Sequence, residues 1–493
     1  MAEDPSKKFI EELRERVSQM LKHLDQEMPI AATVAFSVKK AKEENFVRNS
    51  ERLTDGTRRL SGCNVFAYHE RRPENGSDAH AEAVDYLIYE DWETVRQFTK
   101  QWDSDHLKDF QFKVSDLIAG PPDLRWYYGW SDTAAGRIPR TGQTRCYDIS
   151  GNEIACAGTG QDGEYRAGTA WPTPRFNDNH DGTVTDRLTG LIWLKNADAF
   201  GEVEWKDALA RAKQLCAGEH GLDDGSRRGD WRLPNIRELF SLIDYGTGVP
   251  LLPEKHPFEK VRSAIYWTNT SLIAAPNLAW MMTLGIGPTV FDLKINPNRM
   301  WPVRGRSTNV PRTGQTTCWD EKGMPIADCE GTAQDGDIRA GVRWPDPRFT
   351  DNDDGTVTDN LTGLVWLKNA DPFGFTRWHE ALDECNKLCS GQYGLSDDSR
   401  PGDWRLPNIK EIESLVDYNR AGPCLPEGWE KVFVNVRPSS YWTSTSVAKA
   451  PTEAMFLILG VGPGIFENKE HPFFVWPVRS KRKTWNGSHV KHA

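Results

Sequence analysis

The chain lacks a membrane-spanning stretch, because no apolar run reaches the ~18–20 residues that cross a bilayer. It also lacks an apolar segment behind its charged opening, MAEDPSKKFIEELRERV, so no secretory signal is legible and the sequence predicts a cytoplasmic protein. Positive charge is short: 61 Lys and Arg stand against 71 Asp and Glu, a net charge of −10. Such a chain has no overall field for nucleic acid or an anionic membrane surface, and neither is expected as a partner. The clearest basic cluster, Arg479, Lys481, Arg482 and Lys483, opens a tail over 481–493 that reads as a solvated terminus. What is abundant is tryptophan. Twenty of them mean either aromatic cores built from little regular structure or exposed platforms on which a ligand stacks.

An internal repeat organises most of the chain. PRTGQTRCYDISGNEIACAGTGQDG from Pro139 recurs as PRTGQTTCWDEKGMPIADCEGTAQDG from Pro311, and RFNDNHDGTVTDRLTGLIWLKNAD from Arg175 recurs as RFTDNDDGTVTDNLTGLVWLKNAD from Arg348. GDWRLPNIRE from Gly229 is matched by GDWRLPNIKE from Gly402. The chain therefore divides into an N-terminal region, 1–130, and two copies of one domain, 137–306 and 309–480. The repeat also sorts the tryptophans. Trp171, Trp193, Trp205, Trp231, Trp267 and Trp301 recur as Trp344, Trp366, Trp378, Trp404, Trp442 and Trp476, which marks them as a shared core. Trp280, Trp319, Trp429 and Trp485 have no tryptophan counterpart and are the candidates for exposed ligand contacts.

Within a repeat, GTVTD and LIWLK read as two short strands around a tight turn. EWKDALARAKQL places Trp205, Ala208, Leu209, Ala212 and Leu215 at helical spacing. Asn235 with Glu238 three residues on forms a capping-box pattern ahead of a second helix. Strand-like runs follow over 264–270, 278–284 and 300–304, an order that predicts an α+β domain. RFxDNxDGTVTDxLTGLxWLKN, WRLPNIxE, YWTxTS and the closing VR resemble the Lcl C-terminal domain family, named after a bacterial collagen-like adhesin. The helix after RLP and the late tryptophans also resemble, more weakly, the formylglycine-generating-enzyme and C-type-lectin-like superfamily. The resemblance implies two tandem C-type-lectin-like repeats that bind a ligand, often in exported proteins and sometimes a glycan. It sets an exported or cell-surface location against the cytoplasmic reading.

Chemistry in the repeats is sparse. No Ser-His-Asp set, phosphate-cradling glycine loop or His-x-x-x-His pair is present there. Asp178, Asn179 and Asp181 before Gly182, and Asp351, Asp353 and Asp354 before Gly355, cluster oxygens of the kind calcium prefers. The same residues also suit an ordinary turn, and Leu188 and Leu361 stand where an EF-hand needs its bidentate Glu. No other cofactor is expected. Cys146 with Cys156, and Cys318 with Cys329, occupy equivalent places; each pair closes a hairpin in an oxidising compartment and stays as thiols in a reducing one. Cys385 and Cys389, one helical turn apart, read as core.

In the N-terminal region, Asp4 and Pro5 start a helix with Phe9, Leu13, Val17, Met20, Leu21 and Leu24 on one face. Then ATVAFSVK, CNVFAYHE, AVDYLIYE and LRWYYGW read as strands, with helices over 43–60 and 94–110, the βαββαβ order of a ferredoxin-like domain. YEDW followed by WDSDHLKDF resembles the antibiotic-biosynthesis-monooxygenase and quinol-monooxygenase superfamily, whose members pair through their sheets. That resemblance implies candidate catalytic roles for Glu90, Trp92 and His106, with Phe110 beside them and Gln101 where relatives carry a first histidine. The preferred expectation is a non-enzymatic binding protein: an oligomerising ferredoxin-like domain presenting two lectin-like domains to a glycan or protein ligand. Two alternatives stand beside it, a structural subunit of a larger assembly, and an oxygenase of quinols, aromatics or haem that uses the repeats for recruitment.

Overall fold

The computed structural model describes residues 5–23, 30–57, 63–71, 83–92, 95–120, 122–128, 138–307 and 309–480. The basic tail, Trp130, Trp485 and the side chains of Phe9, Leu13, Leu24 and Trp126 lie outside the described residues. The chain separates into two compact units, 1–133 and 134–493.

The first unit runs α1 (Pro5–His23), β1 (Ile30–Lys39), α2 (Glu43–Thr57), β2 (Cys63–Arg71), β3 (Ala83–Trp92), α3 (Val95–Trp102), α4 (Asp105–Val114) and β4 (Asp123–Tyr128). Its sheet has the order β2-β3-β1-β4 with every pairing antiparallel, which is the ferredoxin-like arrangement. In β1, Ile30, Ala32, Phe36 and Val38 alternate inward and are all buried, as a half-covered strand requires. The helix expected over 94–110 is two helices. Ser104 adopts an extended conformation, caps α4 through Leu107 N, and donates its hydroxyl to the Gln101 carbonyl, so the chain restarts there. The amphipathic α1 packs on its own unit: Val17 and Leu21 join the core.

In the second unit each repeat divides into a leading arm, 138–170 or 310–343, and a body, 171–306 or 344–480. Body 1 carries two five-stranded sheets. One orders Glu202–Val203, Asn298–Arg299, Ile265–Ser271, Leu278–Thr283 and Thr289–Leu293; the other orders Trp231–Arg232, Val303–Arg304, Ile192–Leu194, Thr183–Asp186 and Phe176–Asp178. The run 300–304 breaks into Asn298–Arg299 and Val303–Arg304, with Pro302, which has no N–H to give a ladder, between them. The helices Trp205–Gln214 and Trp378–Lys387 bury the faces their periodicity marks. Ten of the twelve repeated tryptophans are buried at 2% exposure or less, whereas Trp171 and Trp344 are half-buried.

The RLPNIxE segment explains itself physically. Arg232 makes a two-pronged contact with Glu238 (2.6 Å twice), and Glu238 also receives the Asn235 N–H while Asn235 caps its own N–H. Arg405, Glu411 and Asn408 repeat the set in the second copy. One carboxylate thus neutralises a buried guanidinium and completes a helix cap.

The arms cross. Each arm stays tied to its own body at its start, where the Thr141 carbonyl accepts from the Tyr245 N–H (2.8 Å) and the Thr313 carbonyl from the Tyr418 N–H (2.9 Å). Beyond that, arm 1 docks its hairpin and helical turn, Asp162–Tyr165, on body 2, and arm 2 docks the equivalent Asp335–Ile338 on body 1. Gln143 exchanges two hydrogen bonds with the backbone of Ser446 (2.7 and 3.0 Å), and Gln315 does the same with Ser271 (2.8 and 2.9 Å). Asp162 accepts hydroxyl hydrogens from Thr141 of its arm and Thr445 of the other body (both 2.7 Å); Asp335 accepts from Thr313 and Thr270 (2.7 and 2.6 Å). At the centre of this exchange Arg237 of body 1 bonds Glu413 and the carbonyls of Ser414 and Val416 in body 2. Its counterpart Lys410 donates to the carbonyls of Ile243 and Arg140. One continuous apolar core accordingly includes residues of both bodies.

Removing a carboxylate that a buried guanidinium depends on is the most costly kind of ion-pair change. Glu411→Ala should destabilise the second unit by roughly 3–5 kcal/mol in denaturant unfolding, since it also uncaps Asn408. A loss below about 1 kcal/mol would mean the pair is not structural.

Candidate functional site

The residues drawn from the N-terminal motif fall into two separate groups. Glu90 and Trp92 lie two apart on β3, so their side chains share a face; the Trp92 indole N–H donates to Glu90 at 3.0 Å. Glu90 lines a cavity of about 60 Å3 whose other walls are mostly apolar, among them Phe36, Phe66, Ile88 and Phe110. Burial pushes its carboxyl up to about 7, and the indole hydrogen bond offsets only part of that. Trp92 and His106 do not line this cavity. His106 stands in the first turn of α4 with Nε2 3.4 Å from the Thr57 hydroxyl, and its ring packs against Gly56. Gln101 is fully buried and donates to the same Thr57 hydroxyl at 2.7 Å. Burial draws the His106 pKa down, opposed by Asp105. The histidine therefore braces two helices and is not convergent with Glu90.

The acidic turns spend their oxygens on themselves. Asp178 accepts from the His180 N–H and pairs with Lys195 at 2.9 Å, and Asn179 bonds the hydroxyls of Thr183 and Thr185. Asp181 accepts both the N–H and the hydroxyl of Thr183. In the second copy Asp351 pairs with Lys368, Asp354 serves Thr356, and Asp353 sits at the left-handed corner of the turn with φ 59°. No group of three or more His, Cys, Asp or Glu side chains is placed to hold a metal among the described residues. An ammonium group and backbone donors engage these carboxylates, the pattern that an ordinary acidic turn makes.

The expectation of exposed stacking tryptophans is corrected for Trp280 and Trp319. Trp280 is 1% exposed, because Tyr418 of the other repeat meets it edge-on at 5.4 Å. Trp319 is 5% exposed and its backbone is held by the Gln334 amide and by Lys294. Trp429 is half-buried, in the turn Trp429–Lys431 beside the main core. Cys146 is joined to Cys156 and Cys318 to Cys329. Cys385 is buried among core residues and Cys389 is partly exposed.

Sequence reasoning missed the buried charges at the arm junctions. Burial pushes Asp162 and Asp335 up to about 6, and draws Lys294 and Lys410 down to about 7 and Lys469 to about 8. Lys294 and Lys469 lie 4.2 and 4.1 Å from the ring centroids of Trp205 and Trp378, so an aromatic face carries each cation. Their recurrence in both copies was the available signal.

The exposed counterpart of this buried chemistry is a strand edge. Thr289–Leu293 ends its sheet; Phe291 and Leu293 on it stand 43% and 37% exposed, and Ile295, 58% exposed, follows in the turn that the Asn296 N–H closes on the Leu293 carbonyl. Phe291 packs edge-on against Trp280 beneath it. The equivalent positions of the second repeat are Phe466, Asn468 and Glu470. A fold that accepts Asn and Glu at two of the three places does not need Leu293 and Ile295 for its stability.

These bodies define a class of tandem α+β repeats joined through exchanged arms, and the family comparison identifies it. The profile described as the Lcl C-terminal domain matches residues 182–304 and 355–479, and the chain belongs to that family. No curated protein matches the chain. Among solved structures, a putative antibiotic biosynthesis monooxygenase from Nitrosomonas europaea is similar at 21% identity over 22% of this chain and 98% of that one, with a TM-score of 0.18. Putative antibiotic biosynthesis monooxygenases from Caulobacter crescentus (19% identity, 20% of this chain, 89% of that one, TM-score 0.18) and Bordetella bronchiseptica (21%, 20%, 95%, 0.17) are similar too.

Glu90 supplies a pH test. Its folded pKa lies above the ordinary value of 4.5, so the folded state holds the proton more tightly and its stability falls as pH rises. Between about 4.5 and 7 the loss should approach 1.4 kcal/mol per pH unit. Glu90→Gln should remove that slope from the unfolding of the first unit; an identical pH profile in both proteins would refute the buried, neutral carboxyl.

Proposed function

We propose that this protein is a non-enzymatic binding protein whose fused repeats form a scaffold that receives an extended segment of a partner protein. The observation that carries this reading is the exposed Phe291 and Leu293 on an edge strand, with Ile295 exposed in the turn that follows it. An edge strand offers unpaired backbone groups to an incoming strand, and alternate apolar side chains supply selectivity. A protein ligand is favoured over a glycan because the tryptophans that would stack on sugar rings, Trp280 and Trp319, are buried. The test is selection from a display library of short peptides with alternating apolar residues, followed by Leu293→Asp with Ile295→Asp. The pair of substitutions should weaken the selected peptides about tenfold or more and leave the unfolding midpoint within error. Enrichment of glycans on an array, or peptide capture indifferent to both substitutions, would overturn the proposal.

The location that suits this reading is an oxidising one. Two equivalent hairpin disulfides support it, since such bonds persist outside the reducing cytoplasm. Alkylation of protein taken from its native compartment should leave Cys146, Cys156, Cys318 and Cys329 unlabelled; four labelled thiols would favour the cytoplasm.

A second reading, oxygenation in the first unit, rests on the Glu90 carboxyl, whose pKa burial raises to about 7, facing an apolar cavity. At about 60 Å3 that cavity is smaller than the roughly 150 Å3 that accommodates benzene, which favours the binding role. Quinol turnover by the full chain that is lost in Glu90→Gln, with the unfolding midpoint kept, would reverse the preference.

A further inference from the structure

A small cavity of about 30 Å3 lies where the two repeats face each other, and each repeat lends it the same five positions. Its mostly apolar walls come from the first residues of both arms and from one helix of each body, Ile236–Ser241 and Ile409–Glu413 with Ser414. On those helices Arg237 is equivalent to Lys410, Phe240 to Glu413 and Ser241 to Ser414.

The pairing fails in charge at one place. Arg237 reaches the Glu413 carboxylate at 3.1 Å, and that carboxylate also accepts from the Tyr418 hydroxyl at 2.8 Å. Lys410 is the equivalent cation of the second repeat, but the position that would answer it with a carboxylate holds Phe240. Lys410 is 3% exposed; its ammonium donates to the carbonyls of Ile243 and Arg140 at 2.9 and 3.2 Å and pairs with no carboxylate among the described residues. One of its three N–H groups is left over. The same arm leaves a second donor unused. Arg140, next to the lining residue Pro139, keeps its Nε buried without a partner, whereas the equivalent Arg312 gives its Nε to the Gly341 carbonyl at 3.4 Å.

We propose that this cavity is a binding site for a small monovalent anion of the size of chloride, which supplies to Lys410 the counter-charge that Glu413 supplies to Arg237. A buried ammonium without an ionic partner is costly, and a counter-ion held among apolar walls offsets that cost. A void of about 30 Å3 takes one water-sized species, which excludes phosphate and larger carboxylates by size. Burial and the Arg175 guanidinium draw the Lys410 pKa down to about 7, against Asp244, Asp162 and Asp186, which favour the charged form. Those carboxylates are engaged elsewhere: Asp186 with Arg175, Asp162 with Thr141 and Thr445, and Asp244 with the Gly246 N–H. The anion favours the protonated amine, so on the alkaline side of pH 7 its binding takes up a proton. Because both repeats wall the cavity, a bound anion also stabilises their junction.

Thermal unfolding of the full chain in sodium chloride and in sodium gluconate of equal ionic strength tests this, gluconate being too large for the cavity. On the acid side of pH 7, chloride should raise the midpoint of the second unit by about 2–4 °C over gluconate and then saturate. On the alkaline side saturation should need more chloride. Phe240→Glu, which places a carboxylate where the first repeat lacks one, and Lys410→Met, which removes the cation, should each abolish the increment. An increment absent from the wild type, or equal in all three proteins, would overturn the proposal. If either variant does not fold, crystals of the wild-type chain soaked in bromide decide the matter. An anomalous peak in the cavity against Lys410 is the expected result, and a cavity without one would overturn the proposal equally.

Discussion

The structure of the repeats depends on buried polar groups whose partners lie on the other copy. Asp162 is satisfied by one threonine from its own arm and one from the opposite body, and Asp335 mirrors it. Buried donors and acceptors without partners are costly, so each body needs the other's arm as much as it needs its own core. Arg237 and Lys410 extend the constraint to the centre, where each cation is neutralised or solvated by carboxylate and carbonyl oxygens of the other repeat. The two copies therefore share one core, in which Trp193 and Trp301 of one body and Trp366 and Trp476 of the other take part, while Trp378, Trp404 and Trp442 pack within their own body.

That dependence also explains where function is to be sought. Buried charge in the repeats is held in structure: Arg232 with Glu238 and Arg405 with Glu411 complete helix caps within each body, and the lysines over Trp205 and Trp378 face the arms. The two copies diverge instead at a sheet edge, where Leu293 and Ile295 face Asn468 and Glu470 across the duplication. Duplication gives a control within a single chain, since a position that tolerates Glu in one copy is not required to be Ile for folding in the other. In the first unit the same reasoning separates Glu90, which faces a cavity, from His106, which braces Thr57 and Gly56.

Much was legible in the order of residues because its causes are local. The α+β alternation, the helix from Trp205 and the cap at Asn235 follow from periodicity and from a side chain reaching its own backbone three residues on. The first unit's βαββαβ order emerged in the same way, and only the restart at Ser104 and the break at Pro302 refined the boundaries. The acidic turns were ambiguous for an equally physical reason: Asp, Asn and Gly suit both a cation and a tight turn, and the presence of Lys195 and Lys368 beside the carboxylates is a fact of three dimensions.

What the sequence by itself determined was the duplication, the class of each domain and the identity of a shared aromatic core. Tertiary structure alone decided which side chains are accessible. Trp280 is covered by Tyr418, and Trp319 is held in an arm laid over the other body, through contacts between segments far apart in the chain. Tertiary structure also decided that the arms cross. A repeat compared with itself shows what is the same in each copy, but not which copy an arm touches, because both answers make the same contacts with the same residues.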